Sequence, residues 1–577
     1  MSAATLQGKA LDRKKFFRDP FLIGSILFLF IFCSFFIVYP LVILLKDGFA
    51  SSESPFTFDS FAYAFASYSG FMESMKNSII IGLSVSLGAV ILALLFAYVD
   101  VYVKVKTKFL RILFNIVSFL PVVSPPFVIS ISLILLFGDT GFITHDLLGI
   151  IDAKHAFYGF PGLIMVEVIT FFPTAYLMLR GLLKNIDPSL EEAARDMGAS
   201  RMKVFTTVTL PLLLPGIGNA FLVTFVESVA DFANPMIIGG SMDTMATCIY
   251  NQIMGSNGPD AQYQAAAMSC ILLLISMSVF IVQKYVLERK TVSTLTGKAS
   301  RERMLITDKG VTIPLTIICA IISIFVIGLY VLVILCSFWP NMVTYTFTLK
   351  NYKTVFSKKG MQAFGPTLLT AIIAAPLTAL ISMVIAYLIV KKKFKGKSIL
   401  EFVSMLAMAV PGTILGVGFI RGFVRGFFHT GFLQSIYNTM WIIIIVFIVR
   451  SLPVGIRSGV SALRQIDKSI EESAYDLGAN SGKVFTSVTL PLISDSFFSS
   501  LVTSFVRSIT AISAVIMLVT PKLKLVTCQI NEYAGKAAYP TATAYATILI
   551  IIAALSIGIM KLGIKFIGKG TKLKTEE

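Results

Sequence analysis

Repeated apolar runs of membrane-crossing length constrain this chain more than any other feature. A helix needs roughly 20 largely apolar residues to cross a bilayer core. Residues Phe21–Leu45, Ser78–Val99, Ile112–Phe137, Val311–Phe338 and Thr541–Met560 each supply such a stretch. About twelve spans fit along the chain, some of them broken by Gly or Pro. Composition agrees: 56% of the 577 residues are hydrophobic and only 14% are charged, unlike an ordinary soluble domain. Lipid is the solvent for most of this chain, and the expected fold is an all-α membrane protein.

The formal net charge of +18 could suggest nucleic acid, but its distribution gives the excess to topology. Lys and Arg cluster in short segments between spans: Arg13 to Arg18, Lys104 to Arg111, Lys284 to Lys309, Lys391 to Lys397 and Lys561 to Lys574. If all of these are cytoplasmic, both termini lie inside. Segments 46–77, 138–160, 238–262, 339–365, 422–437 and 520–540 then face outward. The first apolar run is too long for a signal-peptide core and lacks a small-residue cleavage pattern, so it reads as a retained span. Cys33, Cys248, Cys270, Cys319, Cys336 and Cys528 have no metal-ligand spacing and read as packing residues.

The chain also repeats itself. Asp187-Pro-Ser-Leu-Glu-Glu-Ala-Ala-Arg-Asp-Met-Gly198 recurs as Asp467-Lys-Ser-Ile-Glu-Glu-Ser-Ala-Tyr-Asp-Leu-Gly478. The register continues from Lys203–Leu212 into Lys483–Leu492 and pairs Pro173 with Pro453, and farther back, after a small length change, Tyr98 corresponds to Tyr387 and Pro121 to Pro411. The expected architecture is two tandem homologous six-helix halves, inserted with the same orientation about a pseudo-twofold axis along the membrane normal. The expected boundaries are an N-terminal segment 1–20, a first domain 21–287, a linker 288–310, a second domain 311–566 and a tail 567–577.

Each copy of the repeated segment lies between the fourth and fifth spans and is too charged for lipid. Asp187 is placed to cap a helix whose first residue is Pro188, with Glu191 and Glu192 near its positive end. Gly198 suits a left-handed C-terminal cap, and Ser200, matched by Asn480, is placed to cap a second short helix ending near Pro211. Small Ala193 and Ala194, or Ser473 and Ala474, leave a face that a partner's surface can approach. A bare connecting loop is the alternative, and the near-identical second copy weighs against it.

Glu192-Ala-Ala, Gly198 and Val208-Thr-Leu-Pro211 resemble the EAA motif of binding-protein-dependent ABC transporter permeases. The second copy keeps the spacing through Glu472, Gly478 and Val488-Thr-Leu-Pro491, with Ser473 where the family usually has alanine. The resemblance implies the type I importer fold and a coupling role for loops 187–211 and 467–491. It assigns ATPase coupling to Glu191, Glu192, Ala193, Ala194 and Gly198, and to Glu471, Glu472, Ser473, Ala474 and Gly478. It also implies two copies of an ABC ATPase subunit and an extracytoplasmic substrate-binding protein as partners, beside membrane lipid. No cofactor, resident metal or nucleic acid is expected. The nearest approach to a phosphate-binding loop, Gly563-Ile-Lys-Phe-Ile-Gly568-Lys569-Gly570, lacks the hydroxyl residue and trails a span, so ATP hydrolysis is expected in separate subunits.

Ionisable residues within spans are costly and raise functional questions. The repeat register sets Glu227 opposite Arg507, a candidate intramembrane gate pair, with local or structural partners for each as the alternative. Asp231, Glu167 and Arg450 read as structurally paired. His145, His155 and His429 fall in external loops without metal spacing. The fused layout, with Ala230–Gly240 and Ile512–Pro521, looks like ferric-iron-type permeases. Importers of 2-aminoethylphosphonate, polyamine or thiamine share the class, and a secondary transporter or a channel is the alternative outside it.

Overall fold

The structure, a computed structural model, describes residues 19–150, 156–255, 258–287, 304–425, 436 and 439–573. Most of the proposed N-terminal segment, most of the linker, His155 and His429 lie outside these residues. The first half runs α1 (Pro20–Gly48), α2 (Phe71–Tyr102), α3 (Lys108–Val123), α4 (Phe127–Phe137), α5 (Phe160–Asn185), α6 (Pro188–Asp196), α7 (Arg201–Val229) and α8 (Ala261–Leu287). The second half follows the same order: α9 (Lys309–Cys336), α10 (Phe364–Lys391), α11 (Lys397–Ala409), α12 (Gly412–Arg425), α13 (Met440–Leu463) and α14 (Lys468–Asp476). It closes with α15 (Ser481–Leu492), α16 (Ser494–Thr510) and α17 (Tyr539–Leu573). Among the described residues, 10 helices are long and apolar enough to span a membrane, and two bent pairs bring the total to as many as 12. The only extended pairing among them is two isolated bridges, so the chain is an all-α membrane protein.

Proline decides where spans break. The Ile112–Phe137 run is not one helix: α3 ends at Val123, Ser124 is extended, and α4 begins after Pro125 and Pro126. A residue before proline is pushed out of the helical region, and proline has no N–H to donate. The equivalent break falls at Val410, extended before Pro411, and bends α11 against α12 by 111°, so Pro411 corresponds to the Pro125–Pro126 break and not, as the repeat suggested, to Pro121, which lies inside α3. Pro211, by contrast, does not end the helix that starts at Arg201. A π-turn over Phe205–Thr209 precedes it, Pro211 sits in the first turn of the next α-helical stretch, and α7 continues to Val229. The wide turn removes the carbonyl clash that proline otherwise makes. In the second half the π-turn Phe485–Thr489 is followed by a 79° bend at Ile493. The helix of the last span also runs on to Leu573, past the expected boundary at 566.

Each half is built on a packed trio, α2 with α5 and α7, and α10 with α13 and α16. Lipid supplies no hydrophobic drive between helices, so close approach through small residues does the work. Ala89, Ala93 and Ala97 form a fully buried stripe on α2. On α13, a Cβ at Gly455 would meet Ser500 and Ser382 oxygens at 2.4 and 2.5 Å, and one at Gly459 would meet Ala386 Cβ at 2.8 Å.

The first spans cross between the halves. α1 packs on α8 of its own half and on α11 and α12 of the other, while α9 packs on α17 and on α3 and α4. Their remaining faces carry exposed Leu27, Phe28 and Ile31, and Ile317, Ile321 and Ile324, the apolar surface a lipid-facing span requires. At one end of α1, buried Arg421 of α12 pairs with Asp47, donates to Gln262 Oε1 at 2.6 Å and lies 4.4 Å over the Tyr263 ring. This satisfied cluster ties α1, α8 and α12 together.

Candidate functional site

The two repeated loops fold alike. Asp187 accepts a hydrogen bond from Ser189 N at 3.0 Å, and Asp467 accepts one from Ser469 N at 3.0 Å. These backbone bonds hold both carboxyls below the usual carboxylate range. The first short helix ends at a left-handed glycine in each copy, Gly198 at φ +83° and Gly478 at φ +80°. Ser200 then accepts from Lys203 N at 3.3 Å and Asn480 from Lys483 N at 2.8 Å, capping α7 and α15.

The adjacent glutamates have opposite fates. Glu192 is half-buried and Glu472 exposed, but Glu191 and Glu471 are buried and point inward. Glu191 accepts from Tyr102 at 2.6 Å and from Thr209 at 2.7 Å. Glu471 pairs with buried Lys391 at 3.4 Å and accepts from Thr489 at 3.4 Å. Tyr102 and Lys391 both lie at the end of the second span of their half, so each inward glutamate latches its loop to that span and to the start of the fifth. Ala194 is buried and Ala474 half-buried, whereas Ala193 and Ser473 are exposed. The small-residue face is therefore one position wide.

The most prominent outward groups are apolar. Leu190 and Ile470 project from the short helices, and Met197 and Leu477, 82% and 89% exposed, stand beside the glycines. None of these four belongs to the motif by which the segment is recognised in the sequence. Their signal was an apolar residue at matching places in both copies of an otherwise charged segment. An exposed apolar patch inside a polar rim marks a contact surface.

Between the halves lies a cavity of ≈ 230 Å³. The α11–α12 break forms part of its wall, as expected where irregular backbone sits at membrane depth. Glu227 and Asp231 come to it from the first half, Arg450 and Arg507 from the second. Asp231 accepts from Ala233 N at 3.1 Å and Asn234 Nδ2 at 2.8 Å, which closes the end of α7. Arg450 donates to Ser513 Oγ at 2.7 Å. Glu167 is fully buried and accepts from Ser228. Glu227 and Arg507 both line this cavity, and one Glu227 oxygen has no hydrogen-bond partner. Among the described residues no three His, Cys, Asp or Glu side chains converge as metal ligands.

Comparison with known proteins agrees with this architecture. The family model described as binding-protein-dependent transport system inner membrane component matches residues 89–292 and again 379–567. The ferric transport system permease protein FbpB of Actinobacillus pleuropneumoniae is 35% identical over 546 residues, 92% of this chain and 77% of that protein. A putative ferric transport system permease protein FbpB 1 of Haemophilus influenzae is 35% identical over 510 residues, 87% of this chain and 78% of the relative. The molybdenum transport system permease protein ModB of Escherichia coli is 31% identical over 206 residues, which are 90% of that protein but 35% of this one. With its family domain present twice and its relatives aligned over most of its length, the chain belongs to the inner membrane components of binding-protein-dependent transport systems.

Proposed function

We propose that this chain forms the whole membrane pathway of an ATP-driven importer of ferric iron. The observation that carries the cargo is the 35% identity to ferric transport permeases over 92% and 87% of the chain. In this reading the chain is not an enzyme, and ATP is hydrolysed by two copies of a separate ABC ATPase subunit, one at each loop. Loops 187–211 and 467–491 are the coupling elements. Leu190 with Met197, and Ile470 with Leu477, enter a groove on each ATPase, while the half-buried Glu192 and the exposed Glu472 meet its rim. The inward Glu191 and Glu471 hold the loops to the spans, so that approach of the two ATPases draws the spans of both halves with it.

The basic segments, both termini and both loops face the cytoplasm, and a substrate-binding protein delivers cargo on the opposite side. The permease domains extend over 21–287 and 311–566, joined by a linker at 288–310. The central cavity is the passage, and Glu227 and Arg507 are its gate: they approach when the cavity narrows and separate when it opens. A zwitterionic solute such as 2-aminoethylphosphonate is the second reading, favoured by guanidinium and carboxylate groups on one cavity.

The test is uptake of radiolabelled ferric iron into vesicles holding this chain, its ATPase and its binding protein. Iron accumulation that requires ATP is expected. Accumulation of aminoethylphosphonate in place of iron would replace the cargo, and uptake driven by an ion gradient without ATP would discard the importer.

A further inference from the structure

Two aspartates outside the repeated loops reach them from the opposite half. Asp19 caps the start of α1, its Oδ1 accepting from Phe21 N at 3.2 Å and Leu22 N at 3.3 Å. Its Oδ2 accepts from Ser481 N at 3.1 Å, the first residue of α15 in the second-half loop. Asp308 caps the start of α9 through Gly310 N at 3.0 Å. Its Oδ2 pairs with Arg201 Nη1 at 3.4 Å, the first residue of α7 in the first-half loop. The repeat register that sets Glu191 on Glu471 also sets Arg201 on Ser481, so the two contacts are counterparts. In both, one carboxylate oxygen holds its own helix and the other holds the loop of the other half.

Each contact has independent support beside it. The Phe21 ring stacks on Phe485 at 5.7 Å and lies against Gly482. On the other side Ile306 N donates to Tyr102 O at 2.7 Å and Lys104 N to Ile306 O at 3.1 Å, stitching the segment before α9 to the end of α2. Tyr102 is the residue that grips Glu191.

We infer that Asp19 and Asp308 are positioning residues that deliver the movement of each coupling loop crosswise, to the first span of the opposite half. The inference rests on the coupling role proposed for the loops. A push on one loop then moves its own half through the latched glutamate and the other half through the strap, so the two halves open together rather than in turn. The two straps differ in kind. Asp308 and Arg201 are an exposed ion pair, weak by itself and sensitive to salt, backed by main-chain bonds. Asp19 meets a partly buried backbone donor with an aromatic stack beside it.

Substitutions can separate strap from cap. Asp19→Asn keeps an oxygen for the cap and turns an amide N–H₂ toward Ser481 N. Ser481→Pro removes the donor at a first helical position, where proline is tolerated, and Ser481→Ala controls for the lost hydroxyl. In vesicles with ATPase and binding protein, Asp19→Asn and Ser481→Pro should raise the ATP hydrolysed per ferric ion about five-fold or more, with ATPase co-purification unchanged. Asp308→Asn and Arg201→Gln should do so less, and non-additively when combined. A wild-type ratio in both Asp19→Asn and Ser481→Pro would overturn the inference.

A second measurement adds a link across the contact, read against the same cysteine pair left unjoined. Cysteines at Phe21 and Phe485, joined by a short bifunctional reagent, should leave uptake intact if strap and loop move as one body. Loss of uptake on joining would overturn the inference. Loss of ATPase co-purification in these variants would instead assign the residues to docking and refute the strap. Wild-type ATPase binding by chains lacking both loop tips would strike the coupling reading beneath it.

Discussion

Glu191 and Glu471 occupy matching places in the repeat and each accepts from the matching threonine, while Tyr102 reaches the first and Lys391 pairs with the second. Removing one partner of a buried ion pair strands the other charge, at about 3–5 kcal/mol, whereas a hydrogen bond to a charged group contributes about 1.5–3 kcal/mol. Glu471→Gln should therefore lower the thermal midpoint of the purified chain, and Lys391→Met in the Glu471→Gln background should recover part of the loss. The glycines act through backbone alone, because nothing lies within 4 Å of a Cβ built at Gly198 or Gly478. Gly198→Asn should keep ATPase co-purification while Gly198→Val, which resists a positive φ, should reduce it. Acid gives a third test. The Asp187 and Asp467 carboxyls are depressed, so their caps stabilise the loops fully above the unfolded value of about 3.9 and lose that contribution as pH falls through the folded value. Hydrogen exchange over 188–196 should accelerate in that acid window, and the Asp187→Asn variant should lack the step. Caps and glycines were legible in the sequence because they depend on neighbours a few residues away. The burial of Glu191 was not, since two adjacent glutamates look equivalent until Tyr102 of another helix selects one of them.

Helices here are defined by their breaks as much as by their apolar content. The Ile112–Phe137 run looked continuous in its apolar content, and only the backbone shows the break before Pro125 and the 111° bend at the equivalent place before Pro411. Pro211 misled for the opposite reason: a proline looks like a stop, and only the preceding π-turn lets the helix continue. The close seam between α10 and α13 gives a direct test at this scale. Gly455→Val places side-chain atoms where Ser382 and Ser500 oxygens already lie within about 2.5 Å of a Cβ position, and overpacking costs about 1–3 kcal/mol. The variant should insert but show a lower thermal midpoint in detergent, whereas Gly328→Val on α9, with nothing within 4 Å, should not.

For the molecule as a whole, the duplication was the most legible feature, because identical spacing survives in sequence while the charges around the cavity diverge. The proposed gate is tested by a double-mutant cycle on uptake. Glu227→Gln and Arg507→Gln should each impair transport, and the double variant should be less impaired than the two effects combined; simple additivity would remove the gate. What sequence could not reveal is the exchange of first spans, since the bodies of α1 and α9 are apolar and the one charge that marks a partner, Asp47, pairs with a residue far along the chain. That exchange has a consequence for how the protein is made. Asp47 and Arg421 are 374 residues apart in the chain, and at roughly 5–20 residues per second the ribosome needs about 20–75 s to supply the second after the first. For that interval the newly inserted α1 has no α11 or α12 to pack on. The first half therefore waits in the bilayer with an unfilled flank, open to insertion factors and membrane proteases, until α11 and α12 of the second half arrive to receive the first span.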